Sequence, residues 1–316
     1  MSTTDEFKTA MLAAGLTPPE VIDPGRLLRY STNGRKSDTS GWCRLFRDGR
    51  AGVFGDFRSG FSSMWTAADD KPATLVQRQQ QADEMKLARA EAAEQQSLQW
   101  SRAATRNAIL LAQTAPIQAE DPVARYLGGR GIKLKLWPPA LRYHSALDYW
   151  QDGHCIGRFP AMVGVVTDVQ GEVVSLHRTY LTQDGRKANV GVVKKLMAAS
   201  ARLTGCSVKL GQPSAIKDEL TIAVAEGIET ALACFAASAT PTVSAISAQG
   251  MARYQWPVGL QRLIVFADND ANQVGQNAAT ALAKRAKSNR LAVRVLIPPE
   301  VGTDWADVWA AQKEAI

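Results

Sequence analysis

Near the carboxyl end of the chain the apolar run "RLIVFA" is followed at once by Asp268, Asn269 and Asp270, and a Gly- and Ala-rich helical pattern begins at about Gln273. Two carboxylates one residue apart at the end of a buried strand repel each other and are costly to desolvate, so the spacing first suggests a cation between them. Upstream, Glu226 follows another apolar run, "LTIAVA", and precedes Gly227, while Asp304 and Asp307 stand in "GTDWADVW" after the run "AVRVLI". A Glu with two Asp is an all-oxygen donor set of the kind Mg²⁺ takes, leaving its other positions to water and phosphate. Such a site polarises phosphoryl groups and stabilises an attacking oxygen. Each acid alone has a plainer reading: Glu226 and Asp270 also stand where a residue caps the helix that follows.

To bring these acids together the chain needs a particular scaffold. Residues 216–316 alternate "LTIAVA", a helix from Ile228, "TVSAIS", a short helix near Met251, "RLIVFA", a helix, and "AVRVLI". Apolar strands alternating with helices imply an α/β fold whose parallel, four-stranded sheet is covered on both faces. Ligands of such sheets sit at the carboxyl ends of the strands, where each acid falls, and three carboxylates converge if the strands ending at Glu226 and Asp268 are neighbours.

Three further segments precede this one. Residues 1–72 form a small β-rich module, read from Gly, Arg and aromatics in "GWCRLFRDGRAGVFGDFRSGFSSMW" with Asp-Gly and Ser-Gly turns. Residues 73–118 read as a helical connector, one long helix or two nearly continuous ones, because no Gly or Pro occurs from Ala73 to Ala115. Residues 119–215 carry strand-like pieces at "AMVGVVTD" and "EVVSLHRTYL", then a basic stretch, and end in the polar "GQPSAIKDE", which reads as a linker.

Of 37 Lys+Arg and 30 Asp+Glu, residues 216–316 hold 9 and 10, leaving 28 and 20 to residues 1–215. The basic excess is N-terminal and the acidic cluster C-terminal, as a metal-dependent enzyme acting on nucleic acid requires. Arg178, Arg186, Lys187, Lys194 and Lys195 of the basic stretch are placed to hold template phosphates or a triphosphate. His177, beside Arg178, is expected to be a satisfied strand residue. In the amino-terminal module Arg47 and Arg58 lie among Phe54, Phe57, Phe61 and Trp65, the mixture that a single-strand groove uses; the same aromatics would also serve as the module's core.

Cys43, Cys155, Cys206 and Cys234 form no C-x-x-C pair, and with 3 histidines there is no zinc-ligand spacing, so no zinc is expected and the thiols read as reduced and buried. The amino terminus lacks a signal-peptide core and no apolar run reaches membrane-spanning length, so a cytoplasmic protein without a membrane partner is expected.

"VAEGIETALA" followed by "IVFADNDANQVGQNAATALAKRA" resembles the Toprim domain of bacterial primases, topoisomerases and some nucleases, marked by Glu-Gly after one strand and Asp-x-Asp after a later one. The "EGIETALA" and "DWADVW" wording is similar to primases of phages and plasmids, and so are "ARYLGGRGI", "LRYHSALDYW", "GRFPAMVGVV", "LHRTYLTQDGRKA" and "KKLM" upstream. The resemblance thus spans roughly residues 120–310. It implies that residues 119–215 are the amino-terminal part of a primase core, with Glu226 as general acid or base, Asp268 and Asp270 holding Mg²⁺ or Mn²⁺, and Asp304 as an outer or second-metal ligand. The implied activity is RNA primer synthesis from NTPs on single-stranded DNA, for a phage, plasmid or integrated element. Two departures stand out: the zinc ribbon of many such primases is not matched by a module with only Cys43, and no G-x-x-x-x-G-K-[ST] loop is present, so a separate replicative helicase is the expected partner. A Toprim nuclease and a non-enzymatic initiation factor that binds single strands are the rival readings.

Overall fold

Gly41–Leu45 and Ala51–Asp56 are buried along their whole length, which requires cover on both faces of their sheet. In the computed structural model, which describes residues 2–32, 34, 38–68 and 74–314, these strands are β2 and β3 of an antiparallel meander. Helix α1 (Thr3–Ala13) precedes it, started by a capping box between Ser2 and Asp5. Strands β1 (Leu28–Tyr30), β2, β3 and β4 (Phe61–Thr66) follow in spatial order. Phe7 and Met11 of α1 pack with Tyr30, Cys43, Leu45 and Phe54 on one face. On the other, Trp42, Phe46, Ala51 and Val53 meet Ala88 and Ala92 of helix α2 (Leu75–Ala112). Phe7 lies 5.7 Å from Phe54 and 5.4 Å from Trp65, so these aromatics build a core. The expected boundary between residues 72 and 73 lies outside the described residues.

Helix α2 is one uninterrupted helix of 38 residues, as strong helix formers without Gly or Pro allow. Residues 1–102 form one compact unit and residues 103–316 a second. Within the second, Asn107 of α2 donates to the carbonyls of Val174 (3.3 Å) and Ala198 (3.2 Å).

The second unit continues with β5 (Ala115–Pro116), α3 (Pro122–Gly128), β6 (Leu141–Gln151), β7 (His154–Thr167), β8 (Val173–Tyr180), β9 (Lys194–Leu196), β10 (Ser207–Val208) and β11 (Ser214–Ile216). Then come β12 (Glu219–Ala225), α4 (Ile228–Ser238), β13 (Thr242–Ser244), α5 (Ala248–Ala252), β14 (Arg262–Phe266), α6 (Val274–Ser288), β15 (Ala292–Leu296) and α7 (Trp305–Glu314). The expected parallel four-stranded sheet is present, in the order β13-β12-β14-β15. Its central strand alternates sides. Ile222 and Val224 pack with Met251 of α5 and Leu282 of α6, while Ala223 and Ala225 pack with Ala231 and Cys234 of α4. Helices cover both faces, so the strand reads as a continuous apolar run. Each fully buried Leu, Ile or Val contributes roughly 1.5–3 kcal/mol to holding the scaffold together.

The upstream strands continue the same sheet. Strand β10 pairs antiparallel with both β13 and β7, joining the antiparallel strands to the parallel ones in one sheet. The stretch "GQPSAIKDE", expected to be a linker, is partly strand. Ser214–Ile216 pairs with β12 in a hairpin whose two turn residues, Lys217 (φ 51°) and Asp218 (φ 63°), are left-handed, the requirement of a tight I′ turn. Cys43, Cys206 and Cys234 are buried, whereas Cys155, near the β6–β7 turn, is exposed, contrary to expectation. Among the described residues no helix is long and apolar enough to cross a membrane.

Candidate active site

Strands β12 and β14 are parallel neighbours with Ala225 opposite Phe266, so Glu226 and Asp268 emerge side by side at the carboxyl edge. The Glu226 carbonyl is fixed twice, accepting from Ser244 Oγ at 2.8 Å and from the Ile246 amide at 2.8 Å. Ile246 holds φ at 73°, a costly conformation for a β-branched residue, in the loop that supplies this contact. Asn269 turns its side chain away as a fastener: it donates to the Pro298 carbonyl at 2.9 Å and accepts from Gln276 Nε2 at 2.9 Å. Asp270 Oδ2 accepts from the Gly275 amide in the first turn of α6 at 3.2 Å, although the N-cap position itself is Gln273. A Cβ on Gly275 would lie 3.0 Å from the Asp268 carbonyl and 3.1 Å from Asp270 Oδ2, which explains a glycine there.

Glu226, Asp268 and Asp304 line one cleft of about 230 Å³ together with Tyr126, Arg130, His177, Lys187, Lys194 and Glu229. Burial raises the Asp268 pKa, and Glu226, Asp304, Asp270 and Asp307 raise it further, to about 7. Burial and then Asp270 also raise Glu226, against the Ala248 amide and Lys194. Asp304 Oδ1 accepts from the Asp307 amide at 2.8 Å at the start of α7, and Asp307 is held by Arg130 at 3.3 Å.

A buried polar network adjoins the acids. Glu229, 4% exposed at the start of α4, accepts from Tyr126 Oη at 2.9 Å through one oxygen and from Lys194 Nζ at 2.9 Å through the other. Burial alone would raise its pKa, but the Lys194 charge and hydrogen bond, its backbone partner and Tyr126 outweigh that and bring it to about 2. His177 is pushed down to about 4, chiefly by burial, and is therefore neutral. Its Nδ1 is buried without a hydrogen-bond partner, so His177 is not the satisfied strand residue expected.

The basic stretch divides between two faces. Lys187 and Lys194 line the cleft, whereas Arg178 and Lys195, cross-strand partners on β8 and β9, do not. Arg178 lies over the Tyr180 ring at 5.9 Å, and Lys195 over the Tyr149 ring at 3.7 Å with its Nζ donating to the Trp150 carbonyl at 2.5 Å. Strand alternation separates them: His177 faces the cleft, so Arg178 points away. Arg186 is held by the neighbouring Asp184. In the amino-terminal unit Arg47 is exposed, and Arg58 is paired with Asp38 at 2.8 Å.

The acids suit a hard divalent cation. Asp268 Oδ1 is buried without a hydrogen-bond partner, and the surrounding carboxylates repel its charge. Among the described residues no group of three His, Cys, Asp or Glu side chains is already arranged around a metal position. Mg²⁺ does not need one, because it commonly binds through one or two carboxylates and completes its shell with water and substrate phosphate.

Tyr126, Arg130 and Glu229 line the same cleft without standing in a pattern that marks them in the sequence. Glu229 looks like an ordinary first-turn carboxylate, although a helix as apolar as "IETALACFAA" was a hint that every face of it is covered.

Residues 221–315 match the Toprim domain, and residues 101–209 match a domain of unknown function (DUF7146). The chain thus carries a Toprim domain, with Glu226, Asp268, Asp270 and Asp304 inside it. No curated protein matches the chain. Among solved structures it is similar to the DnaG catalytic core, at 14% identity over 68% of this chain and 76% of that one, with a TM-score of 0.43. It is similar to the Aquifex aeolicus primase zinc-binding and RNA polymerase domains at 14% identity over 100% of this chain and 84% of that one, TM-score 0.40. For a DNA primase domain from Pseudomonas aeruginosa the figures are 16% identity, 53% and 52% coverage, and TM-score 0.37, so the chain spans about half of that structure.

Proposed function

We propose that the chain is a DNA primase, joining NTPs into short RNA primers on a single-stranded DNA template by metal-dependent nucleotidyl transfer, in the cytoplasm and in the replication of a phage, plasmid or integrated element. The observation that carries this reading is the shared cleft, in which Glu226 and Asp268 of the Toprim match meet Lys187, Lys194 and Arg130 of the preceding segment. Acids beside cations suit a polyphosphate that arrives with its own divalent ion.

Asp268 and Asp270, with Asp304 beside them, would hold Mg²⁺ or Mn²⁺. When bound, the ion polarises the α-phosphate and stabilises the attacking 3′-oxygen. Glu226, shifted upward by burial and Asp270, is suited to accept the proton of the 3′-hydroxyl and return it to solvent. Lys187 and Lys194 take the triphosphate, whose α–β bond breaks as the 3′-oxygen bonds to the α-phosphorus, so that pyrophosphate leaves. Arg178 and Lys195, on the other face, are left to template phosphates outside the cleft. In this reading residues 1–72 contact single-stranded DNA through Arg47 and Arg58, residues 73–118 connect, and residues 119–215 and 216–316 form the two parts of the catalytic core; a separate helicase opens the duplex.

Incubating the protein with a single-stranded template, NTPs and Mg²⁺ or Mn²⁺ tests the proposal. Short RNA products that require template and metal support it. Template shortening without NTPs would replace it with a Toprim nuclease, and binding with neither reaction would replace it with an initiation factor.

A further inference from the structure

Glu229 is a charged side chain in a place where charge is expensive. It is 4% exposed, and each of its oxygens is taken, one by Tyr126 Oη and one by Lys194 Nζ, both at 2.9 Å. A carboxylate this buried, even when paired, rarely adds stability over a well-packed apolar side chain, which leaves room for a use other than holding the fold. Lys194 shows what that use is. Its side chain remains 42% exposed and lines the cleft that holds Glu226 and Asp268. An ammonium has three protons to donate; Glu229 takes one, and two remain for the cleft.

A lysine ends a flexible four-carbon stem, and ordering that stem during binding weakens the affinity it provides. Here the ordering precedes the ligand. The Tyr126 hydroxyl braces the carboxylate from the α3 side, and the carboxylate holds the ammonium near enough to Glu226 to influence its charge. We propose that Glu229 is a positioning residue that fixes Lys194 as a pre-set cation for the phosphate chain of the incoming nucleotide, with Tyr126 as its brace. This rests on the nucleotidyl-transfer reading for the ligand, though not for the clamp itself.

Two measurements on the full chain separate those parts. The first is amine acetylation followed by mass spectrometry, comparing Lys194 with Lys187 and Lys195. Glu229→Gln should speed labelling of Lys194 several-fold and leave the other two unchanged, with Tyr126→Phe acting in the same direction to a smaller extent. The second is calorimetric binding of inorganic tripolyphosphate with Mg²⁺. Glu229→Gln should weaken it about tenfold, and the double variant Glu229→Gln/Lys194→Met should be no weaker than Lys194→Met alone, because both act through one ammonium. In primer synthesis the single variant should raise KM for NTP and leave kcat nearly unchanged. Should Glu229→Gln fail to fold, Tyr126→Phe and the charge-neutral double variant carry the same comparison. Unchanged Lys194 labelling, or additive losses in the double variant, would overturn the clamp. A clamp that behaves as stated in a protein that makes no primers would overturn only the nucleotidyl-transfer reading.

Discussion

Glu226 and Asp268 leave adjacent parallel strands at the same edge, just past the paired residues Ala225 and Phe266, and Glu226 disfavours the charged form of Asp268. The strand pairing imposes this repulsion before any ligand is present. A site that raises an aspartate to about 7 is poised to exchange that proton for a cation, the proton going to solvent.

Removing the repulsion should therefore stabilise the metal-free protein. The folded state binds the Asp268 proton more tightly than the unfolded chain does, so this group favours folding at low pH, and the advantage is lost as pH rises from 3.8 toward about 7. Asp268→Asn escapes that loss. In chelator its unfolding free energy should match wild type near pH 4 and exceed it by about 1–2 kcal/mol at pH 8, after discounting for partial solvent screening. Urea denaturation at the two pH values checks this; a variant less stable than wild type at pH 8 contradicts it.

Metal affinity should follow the same proton. Below about pH 7 binding must displace it, so the apparent affinity for Mg²⁺ or Mn²⁺ should fall by up to about tenfold per pH unit and level off above. Calorimetry in buffers of different ionisation enthalpy should show proton release at pH 6 and almost none at pH 8. Asp268→Asn with Asp270→Asn should abolish the binding heat at both.

The amino-terminal arginines should separate. Arg58 holds Asp38, whose side chain is 10% exposed and whose pKa is lowered because hydrogen bonds from Thr32 and Ser40 and the Arg58 charge outweigh its burial. Arg58→Glu should thus destabilise the module by about 1–3 kcal/mol. Exposed Arg47 has no such duty, and Arg47→Glu should change stability by no more than about 0.5 kcal/mol. The single variant Arg47→Glu should lower the salt slope of single-strand binding by about 1 in a fluorescence titration. An unchanged slope would assign the module to protein contacts.

The parts of this fold that were legible in the sequence are those in which local pattern and tertiary surroundings agree. Apolar runs ending at Ala225 and Phe266 read as buried parallel strands because helices cover both faces, and the acids past them read as a site because strand ends are where such sheets bind. The β6–β7 hairpin was harder to read, since Arg142, His144 and Asp148 are only partly buried and a register shift breaks the alternation between His144 and Leu147. Ser214–Ile216 follows Pro213 and precedes a polar turn, so its pairing with β12 was hidden by residues that also suit a loop. Glu229 was illegible for another reason: its partners, Lys194 and Tyr126, lie 35 and 103 residues away, and only the fold brings them together.

Glu226 carries the chemistry in this account, so the most direct measurement is primer synthesis by wild type and Glu226→Gln side by side, on one template with NTPs and Mg²⁺. The substitution keeps size and hydrogen bonding and removes the proton acceptor, so template-dependent RNA should fall by about 10²–10⁴-fold while folding and single-strand binding remain. Primer yield from a folded Glu226→Gln variant close to that of wild type would contradict it.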